Sequence, residues 1–346
     1  YLSQALTCFA MAGFIRKTCP SIKIALGGGL VTSWMNRTGW NNPFSGLIDD
    51  LTAGPGEKSV VGLAGAVFSG EDPLPDYRPF RENPYLSPAR VIPFSTSFGC
   101  YWGSCSFCPE NAEGNRYTCL SKDRVFSDLD SIVERESPGL IHFSDNALSP
   151  SLLKRFASRP IARPWYGFAR ITADLCDPDF CRALKRSGCI MLKLGIESGD
   201  QQVLDELGKG ISIETAATAL KALNVSGIAT YVYLLFGTPY EDEVSARKTL
   251  DFTVEHSGSI DFLNLSIFNL PRESTEKEAL ETFDFSTGDL SLYQGFVHPR
   301  AWNRNNVRQF LDKEFRRHSA IAPIIRNDPP VFTSNHAPFF VLRGKA

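Results

Sequence analysis

The sequence predicts an α/β protein, with a parallel sheet or barrel over residues 91–270 and part of a second, open α/β sheet before it. Two observations carry the first unit. Six strand-like runs alternate with helical patterns between residues 91 and 270. Those runs are almost continuously apolar, as parallel strands covered on both faces must be. A third observation carries the second unit: residues 1–65 read as helix, strand, glycine-rich turn, helix, strand. At about 150 residues per domain, a chain of 346 residues has room for both.

Taken in order, residues 4–18 have helical apolar spacing, and Ile22–Leu26 is a short strand running into Gly27, Gly28 and Gly29. Such a run lets the backbone turn sharply and approach a ligand. It lacks the GxGxxG pattern and downstream acid of a dinucleotide site. A second short strand near 46–51 ends at Gly54-Pro55-Gly56-Glu57. The first strands of this sheet are expected upstream of Tyr1, so the chain reads as a fragment that opens inside a helix. Basic residues follow the apolar stretch 5–15 rather than precede it, unlike a signal peptide. Residues 66–90, with five prolines, read as a linker.

Strands are then expected at Val91–Ser97, Leu140–Phe143, Trp165–Ala169, Ile190–Ile196, Ala229–Phe236 and Phe262–Phe268. Helices are expected at Asp128–Glu136, Ser151–Ala157, Asp179–Arg186, Gln201–Leu207, Ile213–Val225 and Glu243–His256. Residues 271–346 are more polar, with one clear helix at Asn305–His318, and are expected to cover the barrel mouth as a substrate-facing segment. They offer Tyr293, His298, Trp302, Asn303 and Arg304 as polar or aromatic candidates.

Hydrophobic residues make up 43% and charged residues 21% of the chain, as in a protein with a large core. With 36 basic and 38 acidic residues, the net charge of −2 removes any whole-chain case for binding nucleic acid or an anionic membrane. No run approaches the roughly 18 apolar residues of a membrane span. Nine cysteines, an odd number with none after Cys189, do not form a secreted disulfide framework. A reducing cytoplasm is expected, with some thiols acting as ligands.

The most informative segment is GCYWGSCSFC at 99–108, which sets Cys100, Cys105 and Cys108 at C-x4-C-x2-C after the first barrel strand. Three thiolates on one short loop can converge on an inorganic centre, and Gly99 and Gly103 supply the backbone freedom to wrap it. A structural zinc site wants a fourth protein ligand, for which Cys119 is the near candidate. A three-cysteine cluster instead leaves one iron open. Cys176, Cys181 and Cys189 spread around one helix and read as structural.

These residues resemble the radical S-adenosylmethionine (SAM) superfamily, whose hallmark is a three-cysteine loop after strand one of a partial (β/α)6 TIM-like barrel. The usual spacing is C-x3-C-x2-C, so this loop carries one extra residue. Phe107 matches the aromatic common before the third cysteine. Loops of the longer kind are similar to those of members with an N-terminal cobalamin-binding domain. The resemblance runs over residues 91–270. It includes HFSDNALS (142–149), FARITADL (168–175), LGIESGDQQVLDELGKG (194–210) and LFGTPYED (235–242).

The resemblance implies a [4Fe–4S] cluster on Cys100, Cys105 and Cys108. It implies SAM contacts from Phe107, Asp145, Arg170, Glu197, Ser198 and Lys209. Asp145 has a second reading, as the cap of the helix near Ser149. The implied reaction is reductive cleavage of SAM to a 5′-deoxyadenosyl radical that abstracts hydrogen from an unidentified substrate. The electrons would come from a donor such as flavodoxin or ferredoxin. IKIALGGGLVTS (22–33) and the GPGE turn resemble the end of a cobalamin-binding Rossmann-like domain, which implies cobalamin beside Gly27, Gly28 and Gly29 and a methylation outcome. Three alternatives stand beside this reading: a methylthiotransferase-like enzyme, a four-thiolate electron-transfer protein, and a zinc-stabilised binding module.

Overall fold

The computed structural model describes residues 2–70, 73–284 and 292–344. The expectation at Tyr1, and parts of the C-terminal segment, lie outside these. The chain divides into two units, one holding residues 1–75, 271–273 and 283–295, the other 76–270, 274–282 and 296–346.

In the first unit, helix α1 (Leu2–Thr18) leads to strand β1 (Ala25–Leu26), helix α2 (Gly29–Met35), strand β2 (Asp50–Leu51) and helix α3 (Glu57–Leu63). β1 and β2 pair in parallel, Ala25 opposite Asp50. Trp34, Val31, Phe44, Ile48 and Ala12 form the core. Gly28, with φ of 93°, ends the turn as the cap of α2. Its left-handed backbone is why a glycine stands there.

The second unit is a six-stranded parallel sheet whose strands lie side by side in chain order, a partial TIM barrel. Its strands are β3 (Val91–Phe94), β6 (Leu140–Leu148), β7 (Trp165–Ala169), β8 (Cys189–Glu197), β9 (Ala229–Phe236) and β10 (Phe262–Ile267). A short antiparallel pair, β4 (Ser97–Phe98) with β5 (Thr118–Cys119), follows β3 and encloses helix α4 (Pro109–Ala112). The expected first strand therefore breaks after Phe94, before the cysteine loop.

Helices α5 (Lys122–Glu136), α6 (Pro150–Ser158), α7 (Pro178–Arg186), α8 (Gln201–Glu206), α9 (Ile213–Val225) and α10 (Glu243–Glu255) connect the strands. Each start is marked in the sequence. Ser121, Ser149, Asp177, Asp200, Ser212 and Asp242 accept a hydrogen bond from a backbone N–H in the first turn of the helix they precede. On α5, Val125, Phe126, Leu129 and Ile132 form the buried stripe. Between sheet and helices, Phe143, Phe156 and Trp165 pack with ring centroids 5.1–5.5 Å apart.

After β10 come α11 (Arg304–Phe310), α12 (Ala322–Arg326) and α13 (Thr333–Leu342). The expected helix at 305–318 is thus α11 continued by a π-turn over Leu311–Phe315. α13 has no counterpart in the sequence reading. Its Ala337 and Phe339 pack against Leu140, Tyr166, Met191, Tyr231 and Phe262, so it fills the end at which the barrel strands begin. Only Ala337, Pro338 and Phe339 of α13 are buried, while Phe340 and Leu342 are exposed, so apolar residues lie on both sides of the helix and no amphipathic stripe marks it.

Candidate active site

The cysteine loop is anchored from below. Asp145 on β6 is 1% exposed and accepts from the Thr96 N–H at 3.2 and 3.1 Å, the Thr96 hydroxyl at 2.5 Å and the Ser97 hydroxyl at 2.6 Å. It therefore holds the two residues that lead into the loop, and the helix cap at α6 is Ser149. Above this clasp, β4 and β5 pair Ser97 with Cys119, closing the loop base. Gly99 has φ of 71°, and a Cβ there would lie 2.8 Å from the Arg116 carbonyl oxygen. No other residue fits that crossing.

Cys100, Cys105 and Cys108 border one cavity of about 240 Å³, together with Gly103, Glu110 and Asn111. Cys119 is exposed and is not among the residues lining it. Among the described residues, no three His, Cys, Asp or Glu side chains converge as a single-ion site requires. Burial pushes the Cys105 thiol up from its ordinary value, against the pull of the Lys209 and Arg170 charges. Burial also raises Cys108. Both would lose their protons on binding a metal centre.

A second turn, Gly208-Lys209-Gly210 after α8, docks against this loop. Ser106 donates its N–H to the Leu207 carbonyl at 3.1 Å, and Trp102 donates its indole N–H to the Gly208 carbonyl at 2.9 Å. A Cβ on Gly210 would sit 2.1 Å from the Trp102 ring, so only glycine admits the indole. Arg170, just past β7, binds both segments. One guanidinium nitrogen stands 3.8 Å from the Cys105 sulfur, another donates to the Lys209 carbonyl, and the plane lies 4.2 Å from the Trp102 ring centroid.

Lys209 and Glu197 form an ion pair at 2.8 Å, both nearly buried, and the ammonium lies 5.6 Å from the Phe107 ring. Glu197 has φ of 70°, a conformation rare for a side-chain-bearing residue and concentrated at functional sites. The strand pairing of β8 with β9 slips between Gly195 and Glu197. Ser198 points elsewhere: its hydroxyl meets Thr249 of α10 at 3.2 Å and accepts from the Asp200 N–H.

The structure thus gathers Phe107, Arg170, Glu197 and Lys209 beside the three cysteines, with Asp145 beneath and Ser198 behind. Sequence reasoning missed Trp102, Thr96, Gly208 and Gly210. The glycines flanking Lys209 were the available signal. Of the C-terminal candidates, His298 is buried against the Thr238 carbonyl at 2.9 Å, and Trp302 donates to Glu241 at 3.0 Å. Asn303 caps α11, and Arg304 binds Asn269. In the first unit, Gly27, Gly28 and Gly29 line the turn between β1 and α2, where a Cβ on Gly27 would stand 3.4 Å from the Thr52 carbonyl oxygen.

Residues 94–253 match the Radical SAM superfamily. The match falls on the barrel and spans a little under half of the chain, and it supports a radical SAM character for this unit. That family implies a [4Fe–4S] cluster and SAM. The chain is 25% identical over 233 residues to an uncharacterized methyltransferase of Pyrococcus horikoshii, covering 60% of this chain and 50% of that one. It is also 25% identical over 258 residues to the bacteriochlorophyllide d C-12(1)-methyltransferase of Chlorobaculum tepidum, covering 70% and 55%. The chain spans about half the length of these curated relatives. Among solved structures it is similar to the cobalamin-dependent SAM radical enzyme OxsB with aqua-cobalamin bound (TM-score 0.66, 13% identity, 89% of this chain and 57% of that one). It is also similar to the radical SAM methyltransferase TsrM of Kitasatospora setae (TM-score 0.59, 18% identity, 81% and 64%). At these identities the likeness is one of fold. No described helix is long and apolar enough to cross a membrane.

Proposed function

We propose that this chain forms the core of a radical SAM enzyme, with a [4Fe–4S] cluster on Cys100, Cys105 and Cys108. The observation that carries the reading is the shared cavity of the three thiols, with Arg170 and the Glu197–Lys209 pair at its side. Thiolates are the ligands such clusters take, and three of them leave one iron free. When bound, the cluster supplies the electron that cleaves SAM to methionine and a 5′-deoxyadenosyl radical.

The protein's part is placement, charge and exclusion of water. Glu197 and Lys209 offer opposite charges to the amino and carboxylate groups of SAM, and Phe107 packs beside the ammonium. Arg170 keeps a positive charge against the Cys105 sulfur and fixes the loop through Lys209 and Trp102. Asp145 and Ser198 act one step back, as positioning residues. The four-thiolate alternative lacks support, because Cys119 stands outside the cavity.

The relatives named above point to methylation, and the first unit to cobalamin in the whole protein, held near Gly27, Gly28 and Gly29. A flavodoxin or ferredoxin would supply electrons in the cytoplasm. Anaerobic reconstitution with iron and sulfide, followed by dithionite and SAM, tests the reading. A brown protein that forms 5′-deoxyadenosine, with both properties lost in Cys105→Ala, is the expected result. A colourless protein holding zinc overturns it. For the whole protein, corrin absorbance retained after desalting tests the cobalamin assignment.

A further inference from the structure

The barrel interior holds a charge that the SAM site does not use. Along β8, the two-residue period of a strand puts Met191, Lys193, Gly195 and Glu197 on the inward face. Met191 lies in the closed floor packed by α13. Gly195 and Glu197 are the only residues of β8 that are not buried, and on β9 only Tyr233 and Leu235 are not. Exposure along this face therefore begins just above Lys193, at Gly195 and Tyr233, where the Phe168 and Tyr233 rings meet with centroids 5.0 Å apart.

Lys193 is 2% exposed. Its ammonium lies 5.1 Å from the ring centroids of both Tyr166 and Phe168, and 3.5 Å from the Asn335 side-chain oxygen of α13. Among the described residues no carboxylate pairs with it. It leans towards β7 and β6, where Phe168 and His142 are half-buried and Ser144 is exposed. A buried ammonium without a counter-ion costs stability, and such groups are retained where a ligand completes them. Burial lowers Lys193 to about 8, so the ammonium persists at neutral pH. Burial lowers the neighbouring His142 to about 4, leaving it neutral.

We propose that Lys193 anchors the carboxylate of a monoanionic acid whose apolar or aromatic body lies against Phe168 and Tyr233 in the lumen. One cation flanked by rings suits a single negative charge. A phosphate dianion would want a second cation or a cradle of backbone N–H groups. This assigns a substrate class and rests on the barrel being the catalytic chamber of the proposed enzyme.

The test compares 3-phenylpropionate with 3-phenylpropanamide, titrated calorimetrically into the reconstituted protein with and without SAM. The acid is expected to bind at least about ten-fold more tightly than the amide. In Lys193→Met and Lys193→Gln that preference should shrink to within about two-fold. Thermal unfolding of the same samples checks that the variants are folded, and the wild-type comparison needs no variant. Equal binding of the two probes, binding of neither, or a preference that survives both substitutions overturns the proposal. Deoxyadenosine formation is read separately. A carboxylate preference in a protein that never cleaves SAM would sink the enzyme reading and leave the anion site standing.

Discussion

Asp145→Asn separates an anchor from a ligand. Only donors converge on the Asp145 carboxyl: one backbone N–H and two hydroxyls, at 2.5–3.2 Å. An amide keeps one acceptor oxygen but turns its NH2 towards a donor, in a site 1% exposed where water cannot substitute. A hydrogen bond to a charged group contributes about 1.5–3 kcal/mol, and an unsatisfied buried donor costs about 1–3 kcal/mol. The expected loss is roughly 3 kcal/mol on the same scale. At about 2–4 °C per kcal/mol, thermal unfolding should move down by roughly 6–12 °C. Iron retained after reconstitution should fall as well, since Thr96 and Ser97 lead directly into the cysteine loop. Calorimetric SAM titration completes the assay. A variant that melts like the wild type, holds full iron and yet binds SAM poorly would show that Asp145 contacts SAM and that the anchoring argument is wrong.

Three further outcomes follow from the same geometry. Trp102→Phe keeps a ring over Arg170 but loses the N–H to Gly208, worth about 1 kcal/mol, so a chelator should strip iron faster than from wild type. Unchanged stripping would remove Trp102 from the lock between the two turns. Gly195→Ala places a Cβ 2.3 Å from a Glu197 carboxylate oxygen and 2.8 Å from the Lys209 ammonium. Pushing that pair apart should weaken SAM binding by roughly ten-fold in equilibrium titration. Glu241, 0% exposed, is pushed by burial from 4.5 up to about 8. The folded state therefore holds an extra proton between those values, and its stability falls as pH rises through that window. Glu241→Gln should flatten that part of the slope in urea unfolding series run across it. An unaltered slope would place the titration elsewhere.

The sequence by itself determined the alternation of strands and helices from residue 91 onward. Apolar runs and helix caps are local signals, and the observed bounds of β7, α9 and β9 are those the pattern gave. It also determined the cysteine loop, because C-x4-C-x2-C with Gly99 and Gly103 is contiguous chemistry. Tertiary structure decided what meets that loop. Arg170 and Lys209 are 39 residues apart, and parallel register with crossover connections brings them to one end of the barrel. A distant partner leaves no periodic trace, so the engagement of Asp145 with Thr96 rather than with its own helix was decided by packing alone. The same holds for α13, whose apolar residues are partly buried and partly exposed, so that no amphipathic pattern announces it. Lys193 reads in sequence as one basic residue in an apolar strand. Its meaning comes from the packed floor beneath it and the aromatic rings beside it, which neighbouring strands and a C-terminal helix bring together.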